Sequence, residues 1–183
     1  MHSSSLTVTV DAAAAARAEI LQSAKASIER DGIRKMTMSG IAERGGVPKA
    51  AIYNHFRSRG DLLDQLLASE LATVEEVAER AGQSIAEQLA ATALAIAEHP
   101  ALGAIRRHEP DVLAGMAGLT AAKPTGRWEA VVATVQHRLM SAGARSDEIA
   151  VELVLRWLLS IVMAPGTAER LRAEAGLLAD AVS

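Results

Sequence analysis

Residues 37–56 (TMSGIAERGGVPKAAIYNHF) have the residue types and spacing of a helix-turn-helix. Small Ala42 allows two helices to cross closely, and Gly46 supplies the positive φ that a tight turn needs. Ile52 and Phe56 stand four residues apart, so they share one face of the second helix and can pack it back against the first. The segment therefore predicts a helix pair whose second helix presents its other face outward, a geometry suited to the major groove of duplex DNA.

The outward face of this second helix combines one cation and one amide with small side chains. Small residues let a groove approach closely, and Lys and Asn can hydrogen-bond to base edges. The face consists of Lys49, Ala50, Ala51, Asn54 and His55. We therefore expect this helix to contact DNA.

The sequence around this segment resembles the TetR family of transcriptional regulators. The resemblance covers residues 17–63, where helical context and pattern agree. Its matching positions are Arg17, Ile20, Leu21, Ala24, Gly32, Thr37, Ile41, Ala42, Gly46, Val47, Ile52, Tyr53, His55, Phe56, Ser58, Arg59, Leu62 and Leu63.

The resemblance implies roles for seven residues of the segment. The implied phosphate contacts are Thr37, Tyr53, His55 and Arg59, and the implied groove readers are Lys49, Ala51 and Asn54. The alternatives are a Tyr53 ring packed in the core and a solvated His55 imidazole. The sequence departs from the family at Ile28, where an aromatic is usual, at Pro48, where Ser or Thr is frequent, and at Ala50, where Gly is usual. These departures keep the motif but leave the base preference open.

The charge of the chain changes sign along its length. The formal net charge of all 183 residues is −3, which taken alone argues against a nucleic-acid partner. Residues 1–60 hold nine Lys and Arg against five Asp and Glu, whereas residues 61–183 hold ten against seventeen. A basic N-terminal part on an acidic remainder is the electrostatic pattern of a duplex-binding module.

The elements that must position this segment are helical. Strong helix formers dominate, and no convincing period-2 strand is found. Residues 6–10 alternate without a partner strand and are predicted as an extended or flexible arm. Helix 1 is predicted from Asp11 to Gly32. Later helices are predicted over residues 38–44, 48–58, 60–81, 84–99, 101–107, 110–119, 125–142, 146–164 and 167–181.

The predicted fold is all-α, with an N-terminal three-helix DNA-binding head joined by a long helix to a C-terminal helical domain. We expect residues 1–16 to form an N-terminal arm and an extension of helix 1, residues 17–60 the head, and residues 61–183 the domain for ligand binding and dimerisation. We use the names head for residues 17–60 and body for residues 61–183.

The helix predicted over residues 146–164 is apolar on most of its surface. Its polar residues recur every fourth position from Glu148 to Ser160, so only one narrow stripe is polar. A helix so apolar must be buried on most faces, either inside the chain or against a partner helix. With residues 125–142 as its companion, it predicts a four-helix dimer interface. The expected interface residues are Val131, Val135, Val151, Leu155, Leu158 and Val162.

The family resemblance also implies a small-molecule pocket in the body. The candidate lining residues are Arg106, His108, Leu113, Met116, Trp128, His137 and Trp157. The alternative is that the Met and Trp side chains belong to the core. Low aromatic content favours an aliphatic pocket and an apolar effector. No cofactor is expected, and His99, His108 and Glu109 lack a metal-ligand spacing.

Composition excludes several classes of protein. The absence of Cys excludes disulfides, thiolate metal sites and a cysteine nucleophile. No signal peptide or membrane span is recognised, so we expect a cytoplasmic protein.

The leading hypothesis is a homodimeric repressor released from a pseudo-palindromic operator by a small-molecule effector, and not an enzyme. The alternatives are an all-α small-molecule-binding protein or enzyme with a vestigial head, and a DNA-bound architectural protein.

Overall fold

A computed structural model describes residues 3–116 and 126–183 of the chain. The described residues fold into α-helices and contain no strand, which confirms the predicted all-α class. The helices are α1 (Ser3–Asp31), α2 (Met38–Gly45), α3 (Lys49–His55), α4 (Arg59–Arg80), α5 (Ile85–Glu98), α6 (Pro100–His108), α7 (Pro110–Met116), α8 (Arg127–Ser141), α9 (Glu148–Met163) and α10 (Ala168–Val182).

Polar side chains mark where these helices begin. Ser58 Oγ accepts from the Asp61 amide at the start of α4, and Asp147 accepts from the Ala150 amide at the start of α9. Ser84 and Glu87 form a reciprocal capping box before α5. Each of these bonds satisfies a backbone N–H that has no partner within the helix. At these three capped starts the predicted and observed boundaries therefore nearly coincide.

The N-terminal region differs from the prediction. The expected extended or flexible arm over residues 6–10 is wrong, because α1 already begins at Ser3. The alanine run at residues 12–16 has the highest intrinsic helix propensity. Once a helix is nucleated there, each added residue gains a backbone hydrogen bond without a new nucleation cost, so it extends toward the N-terminus.

The core of the head continues into the body. Ile20 and Ile28 of α1 pack with Ile41 of α2 and Ile52 of α3, and all four side chains are buried. The same cluster includes buried residues of α4, α6, α7 and α9, namely Leu62, Leu66, Ala101, Ile105, Leu113 and Val162. The head is therefore packed directly against α6 and α7.

A second buried cluster holds the body together. Leu89 of α5, Leu139 of α8, Val154 of α9 and Leu178 of α10 are among its members. This cluster fixes the body's long helices around a common core. Among the helices that the structure describes, none combines the length and the apolar composition that crossing a membrane requires.

Glu70 of α4 ties three elements together where the head meets the body. Its carboxylate accepts from Lys25 Nζ of α1 at 2.8 Å and lies 2.7 Å from His99 Nε2. His99 precedes α6, and its Nδ1 accepts from the Leu102 amide. Burial alone would raise the pKa of Glu70, but the hydrogen bonds from Lys25 and His99 outweigh it and hold that pKa below its ordinary value.

We expect the stabilisation by Glu70 to disappear in acid. A carboxyl whose pKa is lowered by folding stabilises the fold fully above its unfolded pKa of about 4.3, and this contribution is lost as pH falls through the folded pKa. Urea unfolding should therefore show that Glu70→Gln is less stable than wild type at pH 7, with a difference that shrinks below about pH 4.3. Glu98→Gln, at an exposed site on α5, is the control. A difference that does not vary with pH would contradict this interpretation.

Candidate nucleic-acid interface and effector cavity

The turn between α2 and α3 has the geometry that the sequence predicted. Gly46 ends α2 at φ 63°, in the left-handed region, and an added Cβ there would meet no atom within 4 Å. Glycine is therefore needed for its backbone conformation, because other L residues adopt this φ at a cost. The Val47 amide then donates to the Ala42 carbonyl at 3.0 Å, which closes the turn.

Buried apolar side chains orient α3 against the rest of the head. Ile52 and Phe56 are fully buried, and Ile41 of α2 lies in the same core. α1 approaches α2 closely, since a Cβ on Gly45 would lie 3.0 Å from Ser23 Oγ. Because one face of α3 is fixed in this way, the opposite face must point to solvent.

The exposed face of α3 carries the predicted DNA contacts. Lys49, Tyr53 and Asn54 are exposed, and Tyr53 shows 48% of its surface, so the alternative of a core tyrosine is wrong. His55 is half-buried, and its ring lies 6.4 Å from the Phe56 ring. Ala51 is also half-buried, whereas the adjacent Ala50 is exposed. Ala50 therefore lies nearer than Ala51 to the surface that a groove would meet.

Two predicted phosphate contacts already have partners inside the head. Thr37 Oγ1 accepts from the Gly40 amide at 3.1 Å as the N-cap of α2. Arg59 Nε donates to the Met36 carbonyl at 3.0 Å, and its Nη2 donates to the Ile33 carbonyl. Both side chains thus order the start of α2. Contact of Thr37 and Arg59 with phosphate stays a prediction. Only the donor groups that have no partner inside the head can make such a contact.

Sequence reasoning did not single out three other exposed cations of the head. Within the described residues, Lys35, Arg44 and Arg57 make no side-chain hydrogen bond or close ion pair, and Lys49 shares this property. Free cations beside a groove-facing helix are the groups that neutralise DNA phosphates. The charge of residues 1–60 was the only sequence signal for them, because pairing depends on the fold.

A small cavity lies between α4, α5, α8 and α9. Its volume is about 40 Å³, and apolar side chains such as Ala78, Leu89 and Val154 form most of its wall. Thr92 and Thr134 also line it. Since one water needs about 10–15 Å³ by this kind of measure, the cavity has room for only a few waters.

Arg138 of α8 provides the cation at this cavity. Its Nη2 donates to the Glu75 carbonyl oxygen at 3.3 Å and to Glu79 Oε1 at 3.3 Å. The Arg138 side chain is mostly buried, and the two glutamates of α4 compensate the charge that would otherwise be costly there. The wall is therefore apolar with one polar end.

The residues predicted to line a pocket do not line this cavity. Leu113 packs in the head core, Trp128 is buried in the body core, and His108 and His137 are exposed. The Met116 side chain lies outside the described residues.

The two remaining predicted pocket residues make hydrogen bonds that fix helices. Arg106 donates to the carbonyl oxygens of Val162 and Ala97, and the Trp157 indole N–H donates to Glu174. The polar groups of Arg106 and Trp157 therefore bond to body helices and do not form part of the cavity wall. Apolar and polar residue types alone could not distinguish these two environments.

The predicted dimer residues are covered mainly within the chain. Val135, Val151, Leu155 and Val162 are buried, and Val131 and Leu158 are partly buried. Large apolar side chains nevertheless remain exposed on the same two helices, at Met140 of α8 and at Ile149, Leu153 and Met163 of α9. With 3.6 residues per turn, the spacing of the three α9 residues places them on one face of the helix.

Comparison with known proteins gives the same assignment as the helix-turn-helix geometry. Residues 20–66 match the model of the family described as bacterial regulatory proteins, tetR family. The HTH-type transcriptional regulator TtgR of Pseudomonas putida is 36% identical over 76 residues, which span 42% of this chain and 36% of TtgR. The match thus covers little more than a third of the length of this relative.

Similarity to solved structures extends over nearly the whole chain. The TetR family repressor AlkX from Dietzia superposes with a TM-score of 0.59 at 18% identity, covering 90% of this chain and 94% of AlkX. FadR from Bacillus subtilis, solved in complex with stearoyl-CoA, has a TM-score of 0.51 at 16% identity, with 88% and 95% covered. The matched proteins are regulators rather than enzymes. Residues 20–66 therefore match the DNA-binding segment of the tetR family of bacterial regulatory proteins, and the whole chain shares the fold of the solved TetR-family regulators.

Proposed function

We propose that this protein is a homodimeric repressor that binds a pseudo-palindromic DNA operator and is released by a small-molecule effector. The observation that carries the proposal is the exposed face of α3, where Lys49, Tyr53 and Asn54 project from a helix fixed by Ile52 and Phe56. A fixed helix with polar residues on its outer face is what major-groove reading requires. Such a regulator acts on the bacterial chromosome, so the proposal includes a cytoplasmic location.

The basic head supplies the sequence-independent part of DNA binding. Lys35, Arg44, Lys49 and Arg57 are exposed, and each can neutralise a phosphate. Two heads in a dimer double this number. The affinity for duplex DNA should therefore fall steeply with salt.

A dimer is supported by the exposed apolar face of α8 and α9. We define the dimer face as Met140, Ile149, Leu153 and Met163. On α9 these apolar residues share the exposed face with Ser160 and with Arg156, which is ion-paired to Glu152, so the proposed interface combines apolar and polar contacts. A two-fold axis through this face would bring the same residues of two copies together. Two heads in one dimer can then contact successive major grooves about 34–36 Å apart.

The cavity supports an apolar effector with one hydrogen-bonding group. Apolar walls, the Thr92 and Thr134 hydroxyls and the Arg138 guanidinium offer the contacts that such a molecule needs. Ligand pockets usually reach about 300–1,000 Å³, far more than the cavity holds in this state. The effector must therefore bind better to a second, wider state, and this differential affinity would shift the population away from DNA binding.

The proposal predicts binding to a duplex fragment from upstream of the gene that encodes this protein. A mobility-shift titration at 50 mM salt should show a complex with two copies of the chain per fragment. Its dissociation constant should rise by about 10³ or more at 200 mM salt, the range for six or more neutralised phosphates. A scrambled duplex of equal length is the control. Equal affinity for both duplexes would indicate an architectural protein, and no binding to either would refute the proposal.

A further inference from the structure

We propose that Glu109 is a positioning residue that couples the body to the DNA-binding head. This inference rests on the proposed function and names the contact through which the body regulates it. Glu109 lies between α6 and α7, and its side chain is only 5% exposed. Its carboxylate nevertheless reaches across to the turn between α1 and α2, which belongs to the head.

The carboxylate binds the backbone of that turn directly. Glu109 Oε2 accepts from the Ile33 amide and Oε1 accepts from the Arg34 amide, each at 2.7 Å. Gly32 just before them has φ 86°, and a Cβ there would lie 2.8 Å from Glu109 Cδ. Only glycine allows both this backbone conformation and this approach. The turn and the carboxylate therefore fit as a matched pair.

The same turn is held from two other sides. Arg34 forms an ion pair with Asp111 of α7, and Arg59 of α4 donates to the Ile33 and Met36 carbonyls. The turn ends at Thr37, which caps α2. Because α2 and α3 pack as a unit, the turn's position sets where the groove-facing helix points.

The last turn of α6, just before Glu109, is fixed to the body. Arg106 lies three residues before Glu109, and its guanidinium donates to the Val162 carbonyl at 3.1 Å and to the Ala97 carbonyl at 3.2 Å. Val162 lies near the end of α9 and Ala97 near the end of α5. Both α5 and α9 also line the cavity. A shift of either helix therefore reaches the turn through Arg106 and Glu109.

The chemistry of Glu109 favours two discrete positions over gradual movement. A buried carboxylate is costly unless it is hydrogen-bonded, and here two amides supply the bonds. A displacement of α6 that breaks them leaves both the carboxylate and the amides without partners. Such all-or-none contacts turn small displacements into a change of state.

The test compares Glu109→Gln with wild type in the full chain. The carboxamide keeps the shape but turns an N–H₂ toward one of the two amides, so one bond and the charge are lost. Hydrogen exchange of the Ile33 and Arg34 amides should become at least tenfold faster, and exchange should also rise in residues 38–55. Affinity for the upstream duplex should fall at least tenfold, whereas Asp111→Asn, at an exposed partner of the same turn, should have a smaller effect.

Ser84→Ala is the control for simple loss of stability, because it removes the cap of α5 in the body. It should lower the unfolding midpoint without changing exchange in residues 33–55 or DNA affinity. The proposal would be overturned if Glu109→Gln bound DNA as tightly as wild type. It would also be overturned if Glu109→Gln and Ser84→Ala lost DNA affinity to the same extent. If wild type binds no DNA, the proposed function fails. The coupling is then judged by exchange alone: faster exchange confined to residues 33 and 34 overturns it, and spread to residues 38–55 supports it.

Discussion

Replacing both Lys49 and Tyr53 with alanine is expected to weaken binding to the upstream duplex at least a hundredfold and to leave the dimer intact. Both side chains are exposed on α3 and make no contact that holds the head core. Lys49 is the expected base contact, which contributes about 1–3 kcal/mol, Tyr53 is the expected phosphate contact, and each substitution occurs twice in a dimer. Since each 1.4 kcal/mol is a tenfold change, a hundredfold loss is a conservative expectation. Fluorescence anisotropy with labelled duplex, together with sedimentation velocity, measures both properties.

Separate substitutions distinguish the roles of the two residues. Lys49→Ala removes a charge, so the slope of log K against log salt should become smaller by about two per dimer if Lys49 neutralises phosphates. Tyr53→Ala should lower affinity with little change in that slope. Arg172→Ala on α10 is the matched control, since it removes an exposed cation from the body. A double variant that binds within threefold of wild type would contradict the assignment of α3 as the recognition helix.

The helix-turn-helix could be predicted from sequence because its determinants are local. Gly46 lies within the turn that it forms, and Ile52 and Phe56 stand at helical spacing from each other. Each of these signals relates residues only a few positions apart. The exposure of Tyr53 follows from the same periodicity once the buried face of α3 is known.

Contacts distant along the chain could not be predicted in the same way. Glu109 and Ile33 are 76 residues apart, and nothing in either residue type indicates that one carboxylate holds two amides of a turn. Arg59 shows the same limitation, because a surface cation and a residue bonded to backbone carbonyls look identical in sequence. Residue type predicts which groups need partners, whereas the fold decides which partners they find.

The apolar face of α9 shows a second limitation. Its polar stripe from Glu148 to Ser160 indicates which side faces out, but the residue types beside that stripe do not tell which apolar side chains the chain's own core leaves exposed. The structure places Val151 and Leu155 inside and leaves Ile149 and Leu153 exposed. The pair α8 and α9 remains the proposed dimer region. The residues available for contact with a partner are those of the dimer face and not the buried ones that were predicted.

Glutamate substitutions at two neighbouring leucines of α9 are expected to have different effects. Leu153 is 42% exposed, so Leu153→Glu should fold normally and raise the dimer dissociation constant at least a hundredfold, because two carboxylates would enter one symmetric interface. Leu155 is 5% exposed, so Leu155→Glu should unfold the body by placing an unpaired carboxylate in its core. Circular dichroism measures folding, and sedimentation equilibrium measures association.

Leu177→Glu on α10 is the matched control for Leu153→Glu. Leu177 is 72% exposed and lies outside the dimer face, so its substitution should leave both folding and association unchanged. Loss of the dimer also separates the two heads, so Leu153→Glu should lose most of its affinity for the full operator while the Leu177 variant retains it. If Leu153→Glu stays dimeric while the Leu177 variant dissociates, the two-fold axis lies at α10, and the dimer face defined on α8 and α9 is incorrect.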